Sequence, residues 1–179
     1  MPNTWKASLS LHLQQLRNET GKSPRVAIVG IGNTQRSDDA AGMLVARTLS
    51  QRECATDKDY VLILEAGHAP ENHTAPIRGF DPDMIVLVDA ADMGKEPGVV
   101  EWISEDDIDG MSASTHSLPL SMLTKYLTLE LGCKVLLLGI QAASNDVGES
   151  VRAEVSQAVE EVVNGLEEVI SLSRIADRI

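Results

Sequence analysis

The stretch Met84-Ile85-Val86-Leu87-Val88-Asp89 decides the fold, because five consecutive apolar residues run directly into a carboxylate. A continuous apolar run of this length is typical of a parallel strand that is buried on both faces. A charge at the margin of a core is costly unless it has a partner. Asp89 therefore needs a ligand or a structural partner, the latter being loop backbone or an Arg or Lys side chain.

Strand patterns recur in four other places along the chain. Arg25–Ile31 and Lys134–Ile140 are apolar runs like the first, and Tyr60–Leu64 is a shorter one. Val99–Ile103 alternates weakly between apolar and polar residues, which favours an edge strand. The sequence therefore predicts about five strands.

Helical patterns separate these strands. Apolar residues recur at helical spacing near the N-terminus and in three later segments: Asp38–Leu49, Leu118–Leu131 and Glu149–Leu172. A fourth segment, Pro70–Arg78, is interpreted as a short polar helix with Pro70 near its start. Strands that alternate with helices predict βαβ units with right-handed crossovers. We therefore predict an α/β fold, a three-layer α/β/α sandwich with a mostly parallel five-stranded sheet and one edge strand.

The same patterns suggest how the chain is divided. No linker or internal repeat interrupts it, so residues 1–179 are predicted to form a single domain. Residues 25–172 make up the predicted core. Residues 1–22 are interpreted as an N-terminal helical extension, amphipathic through Trp5, Leu9, Leu13 and Leu16.

Composition and charge exclude several classes of function. Of the 179 residues, 43% are hydrophobic and 23% are charged, as in soluble globular proteins. The net charge of −12 disfavours nucleic acid and anionic membranes as partners, because both need a basic surface. The polar residues of the first helix argue against a signal peptide or a membrane span, so we expect a cytoplasmic protein. We also expect a monomer without an exposed apolar stripe, because the long helices can cover both faces of the sheet.

Several common catalytic signatures are absent from the sequence. Cys54 and Cys133 lack C-x-x-C spacing, and Cys133 is interpreted as a small core residue. Neither cysteine stands beside an evident base, and no serine sits in a nucleophile elbow. The H-E-x-x-H zinc signature and the D-T/S-G turns of aspartic protease dyads are missing too.

The first candidate site follows the first strand. In open α/β sheets, ligands bind at the carboxyl ends of the strands. Here a glycine turn, Gly30-Ile31-Gly32-Asn33, leads to the acid pair Asp38 and Asp39. A nucleotide is not favoured, because Gln35 replaces the third glycine of the dinucleotide fingerprint and no Walker lysine follows. One acid can cap the next helix while the other faces the crevice.

A histidine completes a possible metal site. His116 lies in a loop of small residues, Ser112–Pro119, just before a predicted helix. Together with Asp39 and Asp89 it gives two oxygen donors and one nitrogen donor, which suits a divalent metal with open coordination positions. A structural role remains the alternative for each residue. The other histidines, His12, His68 and His73, are interpreted as surface or rim residues.

Five motifs in order resemble the [NiFe]-hydrogenase maturation proteases. The opening G-x-G-N with its acid pair, at residues 30–42, is followed by a V-D-A segment at 88–90 and a T-H-x-x-P-L loop at 115–120. A G-I-Q strand end follows at residues 139–141. The fifth motif, Ala69-Pro70-Glu71-Asn72, is similar to the branch that serves formate-hydrogenlyase hydrogenases of the hydrogenase 3 kind. The resemblance runs from about Val26 to Leu166.

This resemblance implies a fold of the phosphorylase/hydrolase type and a specific activity. Such endopeptidases, aspartic-type by family classification, remove a C-terminal extension from the hydrogenase large-subunit precursor after nickel insertion. Their nickel-contacting residues match Asp39, Asp89 and His116 by motif position, and the two acids are also the catalytic candidates. The resemblance leaves Asp38 as a helix cap. It further implies that the nickel is supplied by the substrate, and that another divalent metal can replace it.

Two positions depart from the family pattern. Ala40 stands where glycine is usual, and Ala142 replaces a common proline. Neither change removes a predicted ligand. Two rival functions remain open at this point: a non-catalytic nickel-checking chaperone of the large subunit, and a nucleotide-binding regulator that uses the glycine turn.

Overall fold

The computed structural model describes residues 4–111 and 118–175. Their centre is one five-stranded sheet in the order β2-β1-β3-β5-β4. The strands are β1 (Val26–Ile31), β2 (Val61–Gly67), β3 (Met84–Ala91), β4 (Val100–Ile103) and β5 (Lys134–Gln141). All neighbours pair in parallel except β4, which is antiparallel to β5 at the edge. The predicted mostly parallel sheet is confirmed, and so is the edge position of β4, while β2 forms the second edge.

Six α-helices cover the sheet in the described part of the chain. They are α1 (Trp5–Thr20), α2 (Ala41–Leu49), α3 (Thr74–Phe80), α4 (Ile108–Met111), α5 (Leu120–Leu131) and α6 (Ala153–Ile175). Short 3₁₀ turns at Ser37–Ala40 and Pro70–His73 lead into α2 and α3. The four helical segments predicted after the first strand therefore all contain helix, and α4 is an additional short one.

Each strand contributes side chains to two separate cores, one on each face of the sheet. Met84, Val86 and Val88 of β3 belong to the core under α1, α2 and α6. The alternate residues Ile85 and Leu87 belong to the core under α3, α4 and α5. This alternation follows from the two-residue period of a strand. It confirms the three layers and explains why the runs are apolar throughout.

The N-terminal helix α1 packs as part of the first core. Leu9 and Leu13 are fully buried in it. The ring of Trp5 meets that of Trp102 edge-on, with 6.5 Å between the ring centroids. A Cβ atom on Gly165 of α6 would overlap the Trp5 ring, so the glycine makes room for this contact. The predicted extension is thus bound to the same body as the sheet.

Strand β3 is longer than its apolar run predicts. The prediction ended the strand at Val88, but the structure continues it through Asp89 to Ala91. The reason is the neighbouring strand, because Asp89 pairs with Gly139 and Ala91 with Gln141. Asp89 therefore lies within the strand and not directly after it.

One expectation about the surface is wrong. An apolar stripe is exposed on α5, where Met122, Tyr126 and Leu129 lie one and two turns apart and are 43–86% exposed. His12 lies half-buried on α1, with Nε2 2.5 Å from Nζ of the exposed Lys134. The monomer stays a prediction. Within the described residues, no helix combines the length and the apolar character needed to cross a membrane.

Both cysteines are reduced and buried. Burial raises the pKa of the Cys133 thiol to about 11. It also raises the pKa of Cys54 to about 11, with Glu167 as the next cause. Thiols in this state are poor nucleophiles near neutral pH. The interpretation of Cys133 as a core residue is confirmed, and a thiol-based mechanism is disfavoured.

Candidate active site at the carboxyl end of the sheet

The strand order places a topological switch point between β1 and β3, where a ligand-binding crevice is expected. The chain leaves β1 towards β2 on one side, and later returns to place β3 on the other side. At such a switch point, the loops that follow the two strands diverge and leave room for a ligand. Asp39 comes shortly after β1, and Asp89 lies near the end of β3. The fold therefore brings two of the predicted site residues to one place.

Asp89 lies where β1 and β3 separate. The paired register of these strands reaches Gly30 and Val88, and Asp89, one residue further on, pairs with Gly139 of β5. Its side chain is 1% exposed. By the alternation of β3, it belongs to the face of the sheet that α3, α4 and α5 cover. The carboxylate is thus buried beside the crevice, in agreement with the requirement for a partner or ligand.

Asp39 is held by its own backbone in the 3₁₀ turn Ser37–Ala40. Its N–H donates to Arg36 O at 2.9 Å, and its carbonyl oxygen accepts from Asn33 N at 3.1 Å. Gly32 has φ 139°, and a Cβ atom there would overlap the Asp39 carbonyl. Asp39 is 1% exposed. The glycine turn therefore fixes the backbone from which this acid projects.

Gly42 brings the two acids together. A Cβ atom on it would overlap the carbonyl oxygens of Ile31 and Val88, so the start of α2 lies directly against the ends of β1 and β3. Asp39 precedes Gly42 by three residues, and Asp89 follows Val88. Only glycine permits this approach of a helix to two strands. The two carboxylates consequently share one strand end.

The same close packing explains the glycine turn without a nucleotide. A Cβ atom on Gly30 would overlap the backbone of Gly42 and approach Ala46 to 2.6 Å. Gly32 leaves room for the Asp39 carbonyl. Both glycines are thus used by contacts within the chain, which disfavours the nucleotide-binding regulator.

Asp38 does not cap the following helix, so that prediction is wrong. No side chain caps the 3₁₀ turn or α2. Asp38 is fully buried, and its Oδ2 accepts from Ala143 N at 2.8 Å and Ser144 N at 3.0 Å. Its Oδ1 accepts from Arg152 N at 2.8 Å. The carboxylate therefore joins the β1–α2 loop to the segment between β5 and α6.

Gln141 is a site-forming residue that the sequence-based site omits. It ends β5 and is 4% exposed. Its Oε1 accepts from Met93 N at 2.7 Å and from Lys95 N at 3.2 Å, and its Nε2 donates to Ala142 O at 2.9 Å. These bonds fix the loop after β3. The sequence feature that could have identified Gln141 is its amide side chain at the end of an otherwise apolar strand.

His116, the third predicted ligand, lies outside the described residues. The described parts on either side of residues 112–117 are held by hydrogen bonds. The Met111 carbonyl accepts from Asp92 N at 2.7 Å, just beyond β3. On the other side, Ser121 Oγ donates to Asp109 at 2.6 Å.

The remaining predictions concern the rim and the metal. His68 directly follows β2 and is exposed, and His73 ends the 3₁₀ turn before α3 and is half-buried. Among residues 4–111 and 118–175, no group of three or more His, Cys, Asp or Glu side chains is placed to hold a metal ion. Asp39 and Asp89 are the predicted ligands among the described residues, and the third predicted ligand, His116, lies outside them.

The two departures from the family pattern leave the site intact. Ala40 has φ −74° and ψ −12°, an ordinary helical conformation that needs no glycine. Ala142 donates its N–H to Ala91 O at 3.0 Å, which a proline could not do. The substitution therefore adds a hydrogen bond at the edge of the crevice.

Known proteins are similar to this chain in both fold and sequence. The crystal structure of the [NiFe] hydrogenase maturation protease HycI from Thermococcus kodakarensis is 32% identical, has a TM-score of 0.72 and covers 88% of this chain and 99% of its own. The solution structure of the endopeptidase HycI from Escherichia coli is 34% identical, has a TM-score of 0.69 and covers 80% and 90%. The hydrogenase 3 maturation protease of Escherichia coli K12 is 36% identical over 138 residues, which are 76% of this chain and 85% of that protein.

These similarities in fold and sequence define the class of an α/β peptidase that acts in hydrogenase maturation. The sequence model of the family described as HycI, hydrogenase maturation protease, matches residues 43–171. The chain belongs to this family. The resemblance found in the motifs is confirmed.

Proposed function

We propose that this protein removes the C-terminal extension of a [NiFe]-hydrogenase large-subunit precursor after nickel has been inserted. Membership of the maturation protease family supplies the class of reaction and of client. The observation that supports this site is the burial of Asp39 and Asp89, each 1% exposed, on either side of the switch point. Buried carboxylates beside a crevice are candidates for metal binding or proton transfer.

The proposed ligands of the precursor's nickel are Asp39, Asp89 and His116. Two carboxylates and an imidazole suit a borderline divalent metal and leave coordination positions for the precursor. The nickel arrives with the substrate, and another divalent metal can take its place. Recognition through the metal would restrict cleavage to a loaded precursor, because an empty one lacks the atom that these residues bind.

Peptide hydrolysis also requires a group that takes a proton from the attacking water. A carboxylate next to the bound metal is suited to this role, because the metal lowers the pKa of a water that it holds. We assign the role to the pair Asp39 and Asp89, which makes the enzyme aspartic-type. The pair lies at the carboxyl ends of the strands, which is where open α/β sheets bind their ligands.

We place the protein in the cytoplasm. Cys54 and Cys133 are reduced thiols in the structure, as is usual for proteins of a reducing compartment.

The experiment is mass spectrometry of the large-subunit precursor from the same organism, incubated with this protein with and without nickel loading. The expected result is a precursor shortened at its C-terminus only when it is loaded. An unchanged mass of the loaded precursor would contradict the protease assignment and favour the nickel-checking chaperone. Equal shortening without nickel would overturn the proposed metal recognition.

A further inference from the structure

Asp38 is the most deeply buried charged residue near the crevice, and none of the roles assigned above uses it. It has no exposed surface, and its carboxylate accepts three hydrogen bonds from backbone N–H groups, at 2.8, 3.0 and 2.8 Å. Its own N–H donates to Ser144 O at 3.2 Å. Burial of a carboxylate is tolerable only when its oxygens are satisfied in this way. The residue therefore forms a fixed link between two loops.

The side chains of Asp38 and Asp39 point in different directions. Both residues belong to the 3₁₀ turn Ser37–Ala40, in which successive side chains diverge by about 120°. Asp38 faces the segment between β5 and α6, so Asp39 is turned away from that segment. A shift of the Asp38 carboxylate would rotate the turn, and with it the direction of the Asp39 side chain.

Ser37 holds the turn in an unfavourable conformation. It has φ 44°, in the left-handed region that residues other than glycine seldom adopt. Its Oγ donates to Ser150 O at 3.0 Å, on the same segment that binds Asp38. A strained residue persists only where its surroundings determine its position. The contacts of Ser37 and Asp38 therefore act together on the residue that follows.

We propose that Asp38 is a positioning residue that sets the direction of the Asp39 carboxylate through its bonds to the 143–152 segment. The inference rests on the proposed function, in which Asp39 contacts the precursor's nickel. On the other side, Asn33 and Arg36 fix the Asp39 backbone. Loss of the Asp38 bonds releases one of these two constraints. The precursor still binds through its other contacts, but Asp39 is misaligned for the reaction.

The test compares Asp38→Asn with three other variants on nickel-loaded precursor. Asp146→Asn removes an exposed carboxylate that accepts from Ser144 Oγ at 3.1 Å, so it matches the change in charge on the same segment. Leu166→Ala removes most of a buried side chain on α6, about 20 Å along the helix from Arg152. It is the control for the loss of stability that Asp38→Asn causes. Ser37→Ala removes only the bond to Ser150, and so perturbs the same turn more mildly.

We expect Asp38→Asn to lower kcat about 30-fold with KM changed less than about threefold, because misplacing a reacting group by 1 Å costs about 100-fold. Ser37→Ala should lower kcat about threefold by the same route. Asp146→Asn and Leu166→Ala should retain the wild-type kcat at a temperature well below their unfolding midpoints. If Asp38→Asn and Ser37→Ala lose no more kcat than Leu166→Ala, Asp38 is only structural and the proposal is overturned. Failure of the wild-type protein to cleave would instead refute the proposed function.

Discussion

Two groups of three aspartates, one near each end of the sheet, differ in how far they are buried. At the carboxyl end, Asp38, Asp39 and Asp89 are 0–1% exposed. At the amino end, Asp59 and Asp81 are exposed and Asp83 is half-buried. These three line a shallow cavity of about 580 Å³ together with Lys22 and Arg25.

This difference shows where the fold accommodates buried carboxylates. The three at the amino end keep contact with water, and Asp83 also accepts from Arg25 N at 2.7 Å. The three at the carboxyl end are removed from water, which is tolerable only where protein groups or a ligand replace it. Buried carboxylates at a strand end where ligands bind are candidates for a functional site. The carboxyl end is therefore the place to look for the reaction.

The largest expected effect on stability concerns the close packing that brings the acids together. Gly42→Ala places a methyl group against backbone oxygens of both β1 and β3, and backbone cannot move aside easily. We expect a loss of about 3 kcal/mol in the free energy of unfolding, the upper part of the usual range for overpacking. Thermal unfolding should show a midpoint lower by about 6–12 °C for a chain of this size.

The matched control is Gly79→Ala on α3, near the amino end of β3. A Cβ atom there has no atom within 4 Å. Alanine in an open helical position should raise stability by about 0.5–1 kcal/mol. If Gly42→Ala leaves the midpoint unchanged, α2 does not rest on the strand ends as described.

An intermediate effect is expected from the two ends of β5. Gln141→Ala removes the acceptor of two backbone N–H groups and should cost about 2–3 kcal/mol. Lys134→Ala, at the exposed start of the same strand, should change stability by less than about 0.5 kcal/mol. Urea denaturation measures both values. Gln141→Glu keeps the acceptor oxygen and should lose less than Gln141→Ala. Equal stability of the two alanine variants would show that the loop after β3 does not depend on Gln141.

The smallest effect is a pH dependence away from the crevice. Burial lowers the pKa of His12, and the neighbouring Lys134 lowers it further. The unfolded chain therefore binds a proton more readily than the folded protein. The stability that comes from neutral His12 is present above about pH 6.5 and is lost as the pH falls below it.

The measurement is the unfolding midpoint of wild type and His12→Gln between pH 7.5 and 5.5. Wild type should lose more stability than the variant over this range. All other titrating groups are common to both proteins, so the difference isolates His12. Parallel curves would contradict the assigned burial of this side chain.

The strands could be predicted because burial on both faces leaves a local record in the sequence. β1 and β5 are apolar at nearly every position, and the edge strand β4 alternates because it is half exposed. The acid pair Asp38 and Asp39 and the later Asp89 could be singled out for a related reason, since they follow apolar runs at the end where ligands bind. The strand pattern did not choose between Asp38 and Asp39, and that choice came from the resemblance to the family.

The role of Asp38 could not be predicted in this way. Its partners lie 105–114 residues further along the chain and are backbone N–H groups, which every residue type except proline provides. An interpretation of Asp38 from its neighbours in the sequence therefore favours a helix cap. The sequence pattern predicts too early an end for β3 for a similar reason. Ala90 and Ala91 extend the strand only through their pairing with β5.

The most direct test of the central claim is the rate at which nickel-loaded precursor is shortened by Asp39→Asn, Asp89→Asn and Asp81→Asn. Each substitution neutralises one carboxylate with little change in shape, two at the carboxyl end of the sheet and one at the amino end. We predict that the first two lower kcat by at least about 10²–10³-fold, as the loss of a proton-transfer or metal-binding group does. Asp81→Asn should stay within about twofold of wild type, because Asp81 has φ 52° and asparagine tolerates that conformation. Full activity of Asp39→Asn and Asp89→Asn would contradict the account.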